Sequence, residues 1–143
     1  MITIGDAGEA TIVVTEADSA AALAIAPDDS FPEVYATSRM IGLMEVAAAR
    51  VMRPSLEAGQ LSVGVSLNVR HVAATPIGGR VRAIATYLGL EGKFYRFRVE
   101  AFDDGGLIGD GDHTRAIVSS ERLVAGAAKR MAAATGPRSS AGA

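Results

Sequence analysis

Between Pro32 and Pro54 the chain contains no proline, and from Val34 onward it is rich in Met, Leu, Ala, Ile and Arg, which fits a helix of about five turns. Its apolar residues, Met40, Ile41, Leu43, Met44, Val46, Ala47, Ala48, Val51 and Met52, fall nearly all the way around the helical wheel. A helix that apolar is covered on most sides, so the rest of the chain has to supply the cover.

The cover reads as strand. After a loop over residues 54–60, Leu61, Val63, Val65, Leu67 and Val69 alternate with Ser62, Gly64, Ser66, Asn68 and Arg70, the two-residue period of a strand with one buried face. Runs at 80–88, 94–102 and 107–118 follow, separated by Leu90-Glu91-Gly92-Lys93 and Asp103-Asp104-Gly105-Gly106, both short glycine-bearing hairpin turns. Upstream, residues 10–14 form a short β-rich run, 19–26 a small-residue stretch that suits a loop or a helical turn, and 27–32 a loop. The order is one strand, a long helix, then four antiparallel strands joined tightly, and curling the sheet around the helix is the economical way to bury it. That is an α+β architecture, the hotdog fold. Residues 121–134 read as a short amphipathic terminal helix and 135–143 as a frayed tail, so a single domain over 1–134 is expected.

Composition narrows the function classes. With 143 residues, 49% of them hydrophobic, the chain can bury a real core without metals or crosslinks. Its net charge is -2 and its basic residues are interspersed with acids, so there is no field to hold nucleic acid. The absence of cysteine excludes disulfides, thiolate metal sites and a cysteine nucleophile. The first residues lack a secretory pattern and no apolar run approaches the ~18 residues of a membrane span, so a cytoplasmic protein without a membrane partner is expected. There is no Gly-x-Ser-x-Gly elbow, phosphate loop or paired-histidine spacing, and neither cofactor nor metal is expected. Asp110-Gly111-Asp112-His113 superficially suggests a metal loop, but beside a turn it reads as a polar strand start.

Three residues stand out for their chemistry. Glu45 lies mid-helix, and Ile41, Gly42, Ala48 and Ala49, its neighbours at helical spacing, cannot pair with it, so its partner comes from elsewhere. A carboxylate in apolar surroundings costs several kcal/mol unless it is paired, hydrogen-bonded or protonated. It is either a group in a cleft or a residue on the helix's wet edge. His71 continues the odd-numbered parity of its strand and points toward the helix; it is either a satisfied core histidine or the partner of Glu45. Thr37 suits a helix cap. Eight residues before Glu45, it stands about 12 Å away along a straight helix. The two meet only if Thr37 lies in a folded-back loop or if a second subunit supplies one of them.

Phe31-Pro32-Glu33-Val34-Tyr35-Ala36-Thr37, then Met40-Ile41-Gly42-Leu43-Met44-Glu45, resembles the segment that leads into the helix in the fluoroacetyl-CoA thioesterase family. Val69-Arg70-His71-Val72-Ala73-Ala74-Thr75-Pro76 and residues 108–118 are similar to the same family, in the same order and spacing. The resemblance covers roughly residues 31–122. It implies a catalytic set of Thr37, Glu45 and His71, with Gly64 and Arg115 binding the acyl end and Phe31 contributing to an aromatic lid. Asp28 stands where a second lid aromatic is expected, so selectivity for fluoroacetyl-CoA does not follow from the resemblance. The expected function is hydrolysis of a small acyl-CoA thioester, fluoroacetyl-CoA among the candidates, by a homodimer whose sheets join edge to edge. The alternative is a non-catalytic acyl-CoA or acyl-pantetheine binding module. A hotdog dehydratase fits less well, because those enzymes usually pair histidine with an aspartate in a different motif. Arg70, Arg80, Arg82 and Lys93 are open candidates for the CoA phosphates or simply solvated strand residues.

Overall fold

The alternating runs become strands and the proline-free stretch a helix in the computed structural model, which describes residues 1–134; the expected tail at 135–143 lies outside them. The elements are β1 (Ala7–Val13), α1 (Thr37–Met52), β2 (Gln60–His71), β3 (Arg80–Glu91), β4 (Phe94–Asp103), β5 (Gly106–Ser119) and α2 (Ser120–Ala133). Two 3₁₀ turns follow β1: Glu16–Asp18 precedes the small-residue stretch and Ala20–Leu23 lies within it. The β3–β4 hairpin turns at Gly92, whose φ of 62° is a backbone conformation side chains disfavour. The sheet is antiparallel in the order β1-β3-β4-β5-β2.

That order corrects one expectation. β2 and β3 are not a tight hairpin: β2 pairs with β5 at the sheet edge, and residues 72–79 carry the chain back to β3. The same connection anchors the approach to α1, because Tyr35 N–H donates to the Thr75 carbonyl at 2.8 Å and Val34 bridges to Pro76. The helix therefore begins at Thr37, later than Val34, since residues 34–36 are held extended first.

The sheet admits the helix because its inner face is floored by small residues. Ala83, Ala85 and Ala101 are fully buried there, and a Cβ on Gly8 would stand 2.7 Å from the Ala47 carbonyl oxygen. Onto this floor α1 places Met40, Met44, Ala47, Ala48 and Met52, each out of contact with solvent. Long unbranched methionines fill the irregular space that alanines leave. Tyr87 and Phe97 close the core beside them with ring centroids 5.6 Å apart.

The helix is not covered all round. Ile41 and Glu45 are half-buried and Val46 is 43% exposed, so one side of α1 stays open in the single chain. β2 departs from expectation too. Its register with β5 shifts between Gly64 and Ser66, a bulge that leaves Val65 as the extra residue. Before the bulge, Ser62 and Gly64 face the helix; after it, Leu67, Val69 and His71 do. The apolar row is thus split between faces: Leu61 is 53% exposed and Val65 47%, while on the helix-facing side Val69 packs against the core and Leu67 is 36% exposed. On the outer face Asp110 is held between Arg70 at 2.7 Å and Arg98 at 2.9 Å, tying the edge strand to the middle of the sheet. No helix among the described residues is long and apolar enough to cross a membrane.

Candidate functional site

The chemistry-bearing side chains form two clusters along the seam between α1 and β2. At the helix start, Ala36 occupies the N-cap position and makes no side-chain cap bond, so Thr37, the first helical residue, is free of capping duty. Its hydroxyl instead lies 2.8 Å from His71 Nδ1. His71 Nε2 is shielded from solvent and has no hydrogen-bond partner among the described residues. A shielded nitrogen without a partner costs about 1–3 kcal/mol, and such atoms in a folded protein call for a functional or ligand-based explanation. Burial pushes the His71 imidazole below its usual pKa, partly opposed by the Ala73 carbonyl, so the neutral ring prevails.

The Thr37–His71 pair faces a cleft of about 390 Å³ that Pro32, Val34, Tyr35 and the 72–74 segment also line. The Tyr35 phenol, pushed up to about 12 mainly by burial, is a neutral group in that wall and donates to the Arg39 carbonyl at 3.1 Å. Phe31, expected as a lid aromatic, is 48% exposed on the preceding loop, where Pro32 lines the cleft. Asp28 is exposed there as well, beside a turn whose Ile25 and Ala26 amides are held by Asp29.

The second cluster surrounds Glu45. Its partner is Arg115, whose Nη1 lies 3.3 Å from Glu45 Oε1. Gly64 is the reason the carboxylate fits: a Cβ built there would overlap Glu45 Oε1. Arg115 is itself held, donating from Nε to Ser62 Oγ at 2.9 Å and from Nη2 to the Ser62 carbonyl at 2.8 Å. Behind it stands His113, 1% exposed, with Nδ1 2.8 Å from the Ser66 carbonyl and Nε2 3.1 Å from Arg115 Nη1. A carbonyl only accepts and a guanidinium only donates, so His113 is the neutral tautomer with its proton on Nδ1. Burial first, then Arg115, hold its pKa below the usual value against the opposing pull of the Ser66 carbonyl and Glu45.

The sequence singled out Glu45, His71, Thr37, Gly64 and Arg115. The structure pairs Thr37 with His71 and gathers Glu45, Gly64 and Arg115, but among the described residues no hydrogen bond or ion pair joins Glu45 to His71. Because Thr37 lies in the helix and not in a folded-back loop, it and Glu45 do not meet within one chain. His113 was passed over as part of a polar strand start. Strand alternation puts Asp110 and Asp112 on one face of β5 and His113 with Arg115 on the other, which also dissolves the metal-loop pattern. The two-residue spacing of His113 and Arg115 on an alternating strand was the available signal.

Two neutral imidazoles, the buried His113 and the half-buried His71, set a pH dependence of stability. Each has a folded pKa below the unfolded value of about 6.5, so the unfolded chain binds more protons as the pH drops. Their stabilising contribution is fully present above pH ~6.5 and is lost as pH falls through the folded values. Melting temperatures followed by circular dichroism are expected to stay level from pH 8 to 7 and to decline below about 6.5. His113→Gln should flatten that decline, and an equal decline in the variant would show that His113 is not one of its sources.

Residues 14–121 match the fluoroacetyl-CoA-specific thioesterase family. The chain is 45% identical over 93 residues to a fluoroacetyl-CoA thioesterase of Streptantibioticus cattleyicolor, covering 65% of this chain and 67% of that one. It superposes on the crystal structure of a variant of a fluoroacetyl-CoA-specific thioesterase with a TM-score of 0.85 and 36% identity, over 91% of this chain and 98% of the other. A variant of that thioesterase has also been solved in complex with acetyl-CoA, at a TM-score of 0.83 and 35% identity, over 90% and 98% of the two chains. A thioesterase-superfamily member from Thermus thermophilus matches at a TM-score of 0.81 and 31% identity, over 93% and 98%.

Proposed function

Because the chain belongs to the fluoroacetyl-CoA-specific thioesterase family and is an acyl-CoA thioesterase, we propose that it hydrolyses a small acyl-CoA with Glu45, His71 and Thr37 as its catalytic groups. The observation that carries this reading is the shielded Nε2 of His71, unpartnered among the described residues, on a side chain that lines the cleft. A thioester offers that nitrogen the polar partner it lacks.

In the proposed reaction the Glu45 carboxylate acts on the thioester carbonyl, either through a water whose proton it takes or by direct attack followed by hydrolysis of the anhydride. In both routes the tetrahedral oxyanion collapses, the carbon–sulfur bond breaks, and a proton delivered through His71 leaves with CoA as the free thiol. One water is consumed, and the acid and CoA are released. At the start of α1 the Ala36 and Arg39 amides are taken by the Asp18 and Ala36 carbonyls, which leaves those of Thr37 and Ser38 as candidates to receive the oxyanion. Thr37 holds His71 by its Nδ1, which leaves Nε2 for proton transfer.

Glu45 and His71 belong to different clusters of one chain, and a homodimer brings them together. β2 is an edge strand with exposed Leu61, Val65 and Leu67, and Gly64 with its neighbour Glu45 lies seven residues from His71 along it. Antiparallel joining of β2 to its symmetry mate carries His71 of one subunit toward the partner subunit's Gly64 and Glu45. If Gly64 and His71 face each other with Val65 as the extra residue, the twofold axis falls at Asn68. The open side of α1 at Ile41, Glu45 and Val46 is then available to be covered.

The test is thiol release from a panel of fluoroacetyl-, acetyl- and longer acyl-CoAs, compared by kcat/KM, with sedimentation at the assay concentration. Hydrolysis of the short acyl-CoAs by a dimer is expected. Binding without thiol release would favour a carrier module, and activity from a monomer would remove the shared site. The cytoplasmic location expected from the sequence belongs to the same reading.

A further inference from the structure

The histidine behind Arg115 has no role in the reaction as written, yet it is among the most buried polar residues of the chain. Its surroundings fix it completely. From β2, the Ser66 carbonyl takes the Nδ1 proton; from β5, Arg115 donates to Nε2; from β4, the Phe97 ring packs with its centroid 6.3 Å away; and from α1, Glu45 is the charged group that faces the cluster. With Nδ1–H pinned by the Ser66 carbonyl, Nε2 carries only a lone pair. It can accept from a guanidinium and cannot approach it in the protonated state.

Arg115 has five N–H donors, and two of them, on Nη1, are shared between His113 and Glu45. The bond to His113, at 3.1 Å, fixes the angle at which Nη1 presents its other hydrogen to the carboxylate at 3.3 Å. Ser62 fixes the opposite side of the fork from the same strand as Gly64. The acid on the helix is therefore located by a relay that begins at a backbone carbonyl of β2.

We propose that His113 is a positioning residue, which through the Nη1 of Arg115 holds the Glu45 carboxylate in its working orientation. This rests on the reading of Glu45 as a catalytic group. It adds that the arginine serves the acid as well as the acyl end of the substrate, and that a neutral imidazole sets that service.

The experiment is a double-mutant cycle in the full-length enzyme, measured by thiol release from the best short acyl-CoA of the panel. His113→Leu, which keeps bulk and removes the acceptor, is expected to lower kcat roughly tenfold with KM little changed. His113→Gln, which places an amide oxygen near the position of Nε2, is expected to recover most of that loss. In an Arg115→Gln background His113→Leu is expected to add almost nothing, because residues acting through one another are non-additive. Multiplying losses, or a His113→Gln variant as impaired as His113→Leu, would overturn the proposal. Imidazole nitrogen NMR of the parent enzyme decides the case even if His113→Leu does not fold: a proton on Nδ1 alone supports the relay, and one on Nε2 overturns it. Parent-like activity of Glu45→Gln would sink the underlying site assignment instead, and so distinguishes the two failures.

Discussion

Glu45→Gln is expected to lower kcat for acyl-CoA hydrolysis by about 10² to 10⁴ while leaving the protein folded. The amide has nearly the volume of the acid, so the packing of α1 on the alanine floor is untouched. What changes is charge: the amide neither takes a proton from water nor attacks a carbonyl. The pair with Arg115 joins a Glu45 side chain that is 37% exposed to a guanidinium that is 7% exposed, and the Gln amide oxygen still offers Nη1 an acceptor, so the change in stability is expected to be small beside the kinetic loss. A large kinetic effect with a small shift in denaturant midpoint therefore distinguishes a chemical role from a structural one. Turnover at the parent rate would remove Glu45 from the mechanism.

The second expected result is that one methyl group produces much of the same loss. In Gly64→Ala the new Cβ would overlap Glu45 Oε1, so the carboxylate has to move. The nearest atom is the far end of a flexible side chain, so the displacement is inexpensive and the melting temperature should stay near the parent value. A displacement of about 1 Å is enough to cost on the order of 10² in rate when the displaced group acts on the reacting atom. Thiol release from Gly64→Ala should fall accordingly, and in a Glu45→Gln background the alanine should add little further loss. An active Gly64→Ala enzyme would mean that the carboxylate works from a different position.

The sequence made the helix and the strand runs legible, because each rests on a local period that survives in the fold. The apolar stretch became α1, and the hairpins around Gly92 and Gly105 formed where turn residues interrupted the alternation. Pairing was less visible. That β2 joins β5 and not β3 depends on which edges meet, and no residue of β2 alone encodes it. The bulge at Val65 was equally hidden, since an extra residue exists only relative to a partner strand. His71 still faces the helix as expected, because it lies beyond the bulge in register with Leu67 and Val69.

The site was legible as a set of unusual positions and not as a set of contacts. Glu45 stood out because no residue at helical spacing could satisfy it, and its partner proved to be an arginine seventy positions away. The imidazole expected to meet it is paired with Thr37 instead. His113 went unnoticed because it lay within a polar string whose members face opposite sides of β5. Its significance depends on Ser66 and Arg115 standing on either side of it, which only the folded chain supplies.

The alanine and glycine floor also limits how such a chain can diversify. Enlarging Ala83, Ala85, Ala101 or Gly8 would lift α1, and with it both Thr37 and Glu45, before it altered the room left for an acyl group. Adaptation to longer or bulkier acyl chains is thereby channelled away from the sheet and into the segment ahead of the helix, where Phe31, Pro32 and Val34 change without moving the acid.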